Sequence, residues 1–351
     1  GDLSALPLQV PFPTDNPGTI AKINLGRNLF WDPVLSGELD VACATCHHPA
    51  RGYADGIDLS IGVGGVGFSQ NRQVGYTGFV PRNSPTIINT AYNGIDIDGN
   101  VDPNSAAMFW DNRAQGLEEQ SLLPLHSFIE MRGQAYEEAE TMETIVNRLL
   151  DIPLYVQQFN DAFGSRTITS DRIAQALAAF ERSIIANNSP FDRYMRGEEE
   201  ALSPQQITGM QTFINVGCID CHHGPMLSDF DLHILGLRDN PKLQISDPGD
   251  GNYAFRTPTL RNLAFTAPYM HNGELPTLQA VLNFYDDNNN NAQNPNVSNN
   301  QLDNDFRQLR NINQQQRADI IAFLNALNDD DFDRRVPQEV PSGLHPGGRI
   351  E

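Results

Sequence analysis

The sequence predicts a mainly α-helical protein with two domains and long loops. Apolar residues recur at helical spacing in both halves of the chain, most clearly from 170 to 186. A glycine-rich stretch at 48–82 and an asparagine-rich stretch at 286–300 have compositions that favour loops. The motif Cys-x-x-Cys-His occurs once in each half, at 43–47 and at 218–222. We therefore expect one copy of this motif in each domain.

The other helices are placed by composition and by capping residues. The segment Ser203-Pro204-Gln205-Gln206 supplies an N-cap, a proline at the first helical position and a glutamine at the third. Just before it, the charged run 196–200 is typical of a solvated linker. The remaining helices are expected at 114–123, 137–150 and 313–328. The expected domains are 1–200 and 201–351.

The repeated motif is the attachment signature of a c-type haem. Its thiols add to the haem vinyl groups, and its histidine becomes an axial ligand of the iron. The residues concerned are Cys43, Cys46 and His47 in the first copy and Cys218, Cys221 and His222 in the second. Two such pairs could instead form a four-thiolate zinc site. The histidine after each pair and the long separation between the pairs favour two covalent haems, each in a cytochrome c-like domain.

Charge and hydropathy exclude some partners and locations. A formal net charge of −21 over 351 residues opposes binding to nucleic acid, whose phosphates would repel the chain. The same charge would steer a basic protein partner, or simply give an acidic surface. No run of about 18 apolar residues is present, so no membrane span is expected. Covalent haem attachment normally takes place outside the cytoplasm, so we expect a periplasmic protein whose signal peptide has been removed.

Several segments resemble, in order, those of the bacterial di-haem cytochrome c peroxidase/MauG family. The similarity runs from about residue 20 to residue 328 and includes both haem motifs. The other matching segments are Leu25-Gly26 with Phe30-Trp31-Asp32-Pro33, Arg82-Asn83-Ser84-Pro85-Thr86, Phe109-Trp110-Asp111-Asn112-Arg113-Ala114, Leu117-Glu118-Glu119-Gln120, Thr257-Pro258-Thr259-Leu260-Arg261-Asn262 and Thr266-Ala267-Pro268-Tyr269-Met270-His271-Asn272-Gly273.

The resemblance assigns roles to residues that sequence alone leaves open. From composition, Trp110 would be core packing and Glu130 a surface carboxylate. In the family, Trp110 corresponds to the tryptophan between the haems, and Glu130 assists proton movement on peroxide. The distal pocket of the peroxide-binding haem would hold Gln120, Pro124 and Glu130. A calcium ion lies between the haems in this family, and its ligands correspond to Asn83, Thr266 and Pro268, whose oxygens suit a hard cation.

The first departure from conventional peroxidases concerns the loop after the first haem motif. Conventional members carry a histidine there, which caps the first iron in the oxidised enzyme. This chain has no histidine between His48 and His126, and Val63 stands where the capping residue is expected. The resemblance therefore implies a first haem that is open without reductive activation.

The second departure concerns the second haem, whose outer ligand is methionine in conventional peroxidases and tyrosine in MauG. Tyr285 stands at the corresponding position. A tyrosinate ligand would lower the haem potential and favour a high oxidation state. Tyr285 could instead be a core aromatic residue, with Met270 or Met226 as the iron ligand.

Both departures are similar to MauG, and we expect a peroxide-driven di-haem oxidase. Hydrogen peroxide would produce a high-valent state shared by the haems, and this state would oxidise residues of a partner protein. The alternative is a conventional peroxidase that takes electrons from a small cytochrome c or copper protein. A passive di-haem electron carrier is a third hypothesis, disfavoured because a carrier needs neither an open iron nor Glu130.

Overall fold

A computed structural model describes residues 2–351, and within them the fold is mainly α-helical, as the sequence predicts. Two short antiparallel ribbons accompany the helices: β1 (Ala107–Met108) pairs with β2 (Ala114–Gln115), and β3 (Leu232–His233) with β4 (Phe255–Arg256). The helices are α1 (Ile20–Trp31), α2 (Cys43–Cys46), α3 (Gly116–His126), α4 (Thr141–Leu150), α5 (Pro153–Phe163), α6 (Ser170–Arg182), α7 (Pro190–Met195), α8 (Pro204–Val216), α9 (Leu278–Asn288), α10 (Asn304–Arg307) and α11 (Gln314–Asn325).

Helix α6 ends four residues before the expected position because the following segment bonds to a distant loop. The side chain of Asn89 donates to the carbonyl of Ala186 and accepts from its N–H, both at 2.8 Å. The backbone N–H of Asn89 donates to the carbonyl of Ile184 at 2.9 Å. These bonds use the polar groups of residues 184–186 that would otherwise continue the helix.

Helix α3 extends three residues beyond the expected end and contains Pro124. A proline lacks the N–H that would bond one turn back, which weakens the last turn of a helix. The N–H of Ser127 then bonds to the carbonyl of Pro124 at 3.1 Å, and a single turn of π-helix follows at Phe128–Arg132. The hydroxyl of Ser127 caps this turn by accepting from the N–H of Glu130 at 3.2 Å.

Two apolar cores are each built on one close helix pair. In the first, α1 crosses α6, and a Cβ atom on Gly26 would lie 2.0 Å from the carbonyl oxygen of Ala176. In the second, α8 crosses α11, and a Cβ atom on Gly209 would lie 1.8 Å from the carbonyl oxygen of Asp319. Only glycine permits approach this close, so both positions fix the packing of their helices.

The C-terminal tail returns to the first core, where Phe332 and Val340 are buried. The second core is formed mainly by residues 191–327, with Leu3 from the N-terminal segment. The division of the chain into haem domains at residue 200 stays a prediction. Its two sides are joined by the fully buried ion pair of Asp192 and Arg261, whose oxygen–nitrogen distances are 2.8 and 2.9 Å.

No helix within residues 2–351 has the length and hydropathy that crossing a bilayer requires.

Candidate di-haem site

A cavity of about 1100 Å³ lies between the two cores and reaches both Cys-x-x-Cys-His motifs. Helix α2 carries the first motif, and the second follows the Gly217 cap that ends α8. The walls contain every residue that the sequence proposed for the haems, the distal pocket and the calcium ion. These are Cys43, Cys46, His47, Asn83, Trp110, Gln120, Pro124, Glu130, Cys218, Cys221, His222, Thr266, Pro268 and Tyr285.

The two motif histidines are oriented in the same way. Nδ1 of His47 bonds to the carbonyl of Tyr53 at 3.0 Å, and Nδ1 of His222 bonds to the carbonyl of Leu227 at 2.9 Å. A histidine that donates from Nδ1 keeps Nε2 as its free lone pair, which is the arrangement of an iron ligand. Burial lowers the pKa of both imidazoles, which favours the neutral form that binds metal.

The four cysteines are free thiols that face the cavity. Within residues 2–351, no group of three or more metal-binding atoms lying within 4.8 Å of one another contains more than one of these sulfurs. The chain therefore does not assemble the four-thiolate zinc site that was the alternative. Burial raises the pKa of Cys46 to about 12, so this thiol is neutral at ordinary pH.

The distal residues lie on α3 and the π-helical turn that follows it. Gln120 and Pro124 are one turn apart on α3 and therefore share a face. Glu130 projects from the π-helical turn. Burial raises the pKa of Glu130, and the hydroxyl of Ser127 and the charge of Arg113 oppose this shift. The group can thus exchange a proton closer to neutral pH than an exposed glutamate.

Val63 is fully buried in the first core. Its N–H donates to the carbonyl of Ile129 at 3.1 Å, which ties the glycine-rich loop to the turn that carries Glu130. A Cβ atom on Gly62 would lie 2.2 Å from that same carbonyl oxygen. The loop is therefore held against the distal turn by its backbone, with the apolar side chain of Val63 in the first core.

Trp110 is held between residues of both halves of the chain. Its indole N–H donates to the carbonyl of Asn83 at 3.0 Å, and its own carbonyl accepts from the N–H of Arg256 at 2.7 Å. The ring of His271 meets Trp110 edge-on at 6.4 Å and stacks on Phe255 at 3.5 Å between centroids. Burial lowers the pKa of His271 to about 3, so this imidazole is neutral.

Arginines in the cavity wall suit the anionic propionates of haem. Arg82 forms ion pairs with Asp247 at 2.7 Å and Asp111 at 2.9 Å. Nη1 of Arg256 donates to the carbonyl of Ala107 at 2.8 Å, whereas its buried Nε has no partner. Burial lowers the pKa of Arg256 to about 10, which leaves it charged at neutral pH. A buried cation with an unused donor fits a negatively charged cofactor group.

Tyr285 lies on α9 and lines the cavity near the second motif. Its ring packs edge-on against Phe284 and Phe306, at centroid distances of 5.8 and 5.7 Å. Burial raises its pKa, and so do the neighbouring thiol groups of Cys221 and Cys218. A phenol in this setting is neutral unless a cation such as ferric iron stabilises its anion.

The two methionines that the sequence left as alternatives differ in position. Met270 lines the cavity and packs with Tyr285 in the same apolar cluster. Met226 is buried in another cluster with Leu6 and Tyr92. Met270 is therefore the methionine that remains as an alternative iron ligand.

Comparison with known proteins identifies one family. A family model described as di-haem cytochrome c peroxidase matches residues 20–200. The methylamine utilization protein MauG of Methylorubrum extorquens is 33% identical over an alignment that covers 96% of this chain and 88% of the relative. The chain belongs to the di-haem cytochrome c peroxidase family. Its members are haem-dependent oxidoreductases, and membership implies two c-type haems.

Other members of the di-haem peroxidase family carry both kinds of name. The cytochrome c551 peroxidase of Pseudomonas aeruginosa is 34% identical, and the alignment covers 77% of this chain and 73% of that one. A solved structure of a MauG-like protein associated with microbial copper homeostasis is 29% identical with a TM-score of 0.74. That match covers 92% of this chain and 95% of the other.

The residues of this chain fit the cofactors that its family implies. Free thiols, neutral histidines with unused Nε2 atoms and a buried arginine with a free donor all face one cavity. When bound, the haems would supply the iron at which peroxide is reduced. His47 and His222 would hold the irons, and the thiols of the two motifs would hold the porphyrins.

Sequence reasoning gave no catalytic role to two residues of the cavity wall. Glu181 is buried on α6, lines the cavity and has one carboxylate oxygen without a partner. Its position one turn after Leu177 places a charge on the apolar face of the helix, which is a signal readable from sequence. His271 lies in a segment that resembles the family, but only the structure shows its stack with Phe255.

Proposed function

We propose that this protein is a MauG-like oxidase that uses hydrogen peroxide to oxidise residues of a partner protein. The observation that carries the proposal is the position of Tyr285 in the cavity wall beside the second motif, where it can reach toward an iron held by His222. The apolar Val63 in the loop that conventional peroxidases use for capping supports the same branch.

The distal residues would handle the protons of peroxide. Glu130 would accept a proton from peroxide and return it to the leaving oxygen, because burial raises its pKa toward the working range. Gln120 orients the peroxide through its amide. Pro124 weakens the last turn of α3, and the π-helical turn that follows brings Glu130 into the cavity.

Trp110 would carry oxidising equivalents between the haems. Its indole lines the cavity that reaches both motifs, and its N–H is fixed on the carbonyl of Asn83. The indole is partly accessible in the cavity and lies against the neutral ring of His271. Loss of an electron from the indole would therefore disrupt no ion pair.

A calcium ion between the haems belongs to the proposal. Nδ2 of Asn83 donates to the carbonyls of Ile57 and Asp58 at 2.9 and 3.1 Å, which leaves Oδ1 as a free oxygen. Thr266 and Pro268 line the same cavity and can add oxygens. Such oxygen donors suit calcium, with water in the remaining positions. We also propose a periplasmic location and haem domains divided near residue 200.

A conventional peroxidase is the second candidate, and two observations favour it. The relative from Pseudomonas aeruginosa is named a cytochrome c551 peroxidase. In addition, Met270 lies in the cavity wall beside Tyr285 and could replace it as ligand. In that case the protein would reduce peroxide with electrons from a small cytochrome or copper protein.

Electron paramagnetic resonance of the fully oxidised protein separates the candidates. We expect one high-spin ferric haem and one low-spin haem, with the low-spin signal assigned to His222 and Tyr285. Tyr285→Phe should convert the low-spin signal to a high-spin signal, whereas Met270→Leu should leave the low-spin signal unchanged. Two low-spin haems in the resting protein, or a low-spin signal lost only in Met270→Leu, would contradict the MauG-like assignment.

A further inference from the structure

Tyr76 is an exposed phenol seated on the outer side of the first haem's distal wall. Within residues 2–351 it is the most exposed tyrosine or tryptophan, with 54% of its surface accessible. The next residue, Thr77, lines the cavity, and its hydroxyl donates to the carbonyl of Val63 at 2.9 Å. The chain thus passes from solvent to the cavity wall within two residues.

Close backbone contacts hold the ring in this place. A Cβ atom on Gly64 would lie 3.2 Å from Cδ1 of Tyr76, and one on Gly133 would lie 2.9 Å from its hydroxyl oxygen. The same Cβ atom on Gly133 would lie 2.8 Å from Cγ1 of Val63. Glycine at both positions lets the ring lie against the backbone without an intervening side chain.

Phe128 connects Tyr76 to the turn that carries Glu130. The two rings meet edge-on with centroids 6.2 Å apart. Phe128 is the first residue of the π-helical turn, and the next two residues, Ile129 and Glu130, line the cavity. Tyr76 therefore contacts the first residue of a turn whose next two residues line the cavity.

The phenol has a proton acceptor already in contact. Its hydroxyl donates to the carboxylate of Glu38, and the N–H of Gln134 donates to the same oxygen at 3.3 Å. Partial desolvation of the hydroxyl, the Glu38 hydrogen bond and the nearby charges of Glu38 and Asp40 raise the pKa of Tyr76 to about 12, while the N–H of Gln134 opposes this. The phenol is consequently protonated at neutral pH, and it can lose its proton readily only if an electron leaves with it.

We infer that Tyr76 and Glu38 form a surface redox relay through which electrons from an external donor enter the distal side of the first haem. The inference rests on the proposed function, because peroxide is the oxidant. For each electron transferred, Tyr76 gives one electron to the first haem site after its oxidation by peroxide. The proton of Tyr76 moves to the Glu38 carboxylate, which leaves a neutral tyrosyl radical. A donor at the surface then returns one electron, and the proton moves back from Glu38 to the phenolate oxygen.

The other aromatic residues fit this role less well. Trp31 is fully buried, and its indole N–H has no partner. Trp110 lines the interior cavity. The hydroxyl of Tyr155 bonds to the carboxylate of Asp32 at 2.6 Å, but both residues are fully buried. Tyr76 alone combines exposure, a carboxylate partner and contact with the distal turn.

The test is rapid freeze-quench electron paramagnetic resonance of the haem-loaded ferric protein mixed with one equivalent of peroxide and no donor. Protein with ring-deuterated tyrosine identifies a tyrosyl signal by the loss of its proton hyperfine splitting. We expect Tyr76→Phe to remove this signal, and Tyr194→Phe, on α7 in the second half of the chain, to leave it unchanged. Glu38→Gln keeps a hydrogen-bonding side chain but removes the base, and it should slow radical formation about 100-fold.

Optical spectra recorded on the same samples distinguish the ways of failing. If the haems are oxidised by peroxide and the tyrosyl signal is absent, or is the same in Tyr76→Phe, the relay is wrong and the proposed function stands. If the ferric haems do not react with peroxide, both the proposed function and the relay are overturned. Equal rates of radical formation in Glu38→Gln and the parent protein would remove Glu38 from the relay.

Discussion

Two carboxyl groups in the cavity wall show how burial alters the chemistry of a single residue type. Glu130 faces the distal pocket with Ser127 beside it, and Glu181 lies on α6 near Cys43. Burial raises the pKa of Glu181 from 4.5 to about 8, and the charge of Glu118 adds to this shift while Arg182 opposes it. Glu130 has a proposed function in catalysis, whereas Glu181 affects the stability of the fold.

We predict that the parent protein loses stability as the pH rises and that Glu181→Gln loses less. The folded protein holds a proton on Glu181 that the unfolded chain has already released above pH 4.5. Stability from this group is therefore complete below pH 4.5 and declines as the pH rises toward 8, with an upper limit of about 5 kcal/mol. Urea unfolding at about pH 5 and about pH 9 should show the larger loss in the parent protein.

Glu119→Gln is the control, because it makes the same change at an exposed glutamate. Parallel pH profiles for the parent protein and Glu181→Gln would show that Glu181 has no raised pKa.

Residue types and their spacing were sufficient to propose the haem attachment residues, because that chemistry depends on a contiguous motif. Glu130 and Tyr285 were proposed from a resemblance, and they line the expected cavity. The pairing of Tyr76 with Glu38 was not predictable. These residues are 38 positions apart, and their contact depends on how the glycine-rich loop folds over the distal turn.

At the scale of elements, the sequence did not predict α1, α5 and α9. Helices α3, α4, α6, α8 and α11 could be predicted because their apolar faces and caps are local features. Their ends could not, since tertiary hydrogen bonds determine them. Asn89 stops α6 through bonds to Ala186 and Ile184, which lie about a hundred residues further along the chain. The π-helical turn after α3 was likewise missed, because sequence shows only the proline that precedes it.

We predict that Asn89→Ala destabilises the fold by about 1–3 kcal/mol, since it leaves the buried polar groups of Ala186 without partners. Urea unfolding of the haem-loaded protein measures this change. Asn290→Ala removes an exposed asparagine from a surface loop and should have little effect. An equal stability for Asn89→Ala and the parent protein would mean that these bonds do not hold the end of α6.

At the scale of the whole molecule, one cavity joins two cores that are distant in sequence. Two features fix the cores relative to each other. One is the buried ion pair of Asp192 and Arg261, and the other is the C-terminal tail, which packs Phe332 and Val340 into the first core. The sequence indicated one haem motif in each half, but not the contact between the halves. Trp110 and His271 could therefore not be recognised as neighbours before the structure.

Stopped-flow spectroscopy of the fully ferric protein with one equivalent of peroxide tests the central claim most directly. We predict reaction without prior reduction and a long-lived state that holds two oxidising equivalents. Glu130→Gln should slow its formation about 100-fold or more, because the proton acceptor is lost. Trp110→Phe should shorten its lifetime, because the proposed bridge between the haems is lost. A ferric protein that stays inert until half reduced, and then turns over rapidly with a reduced cytochrome, would contradict the account.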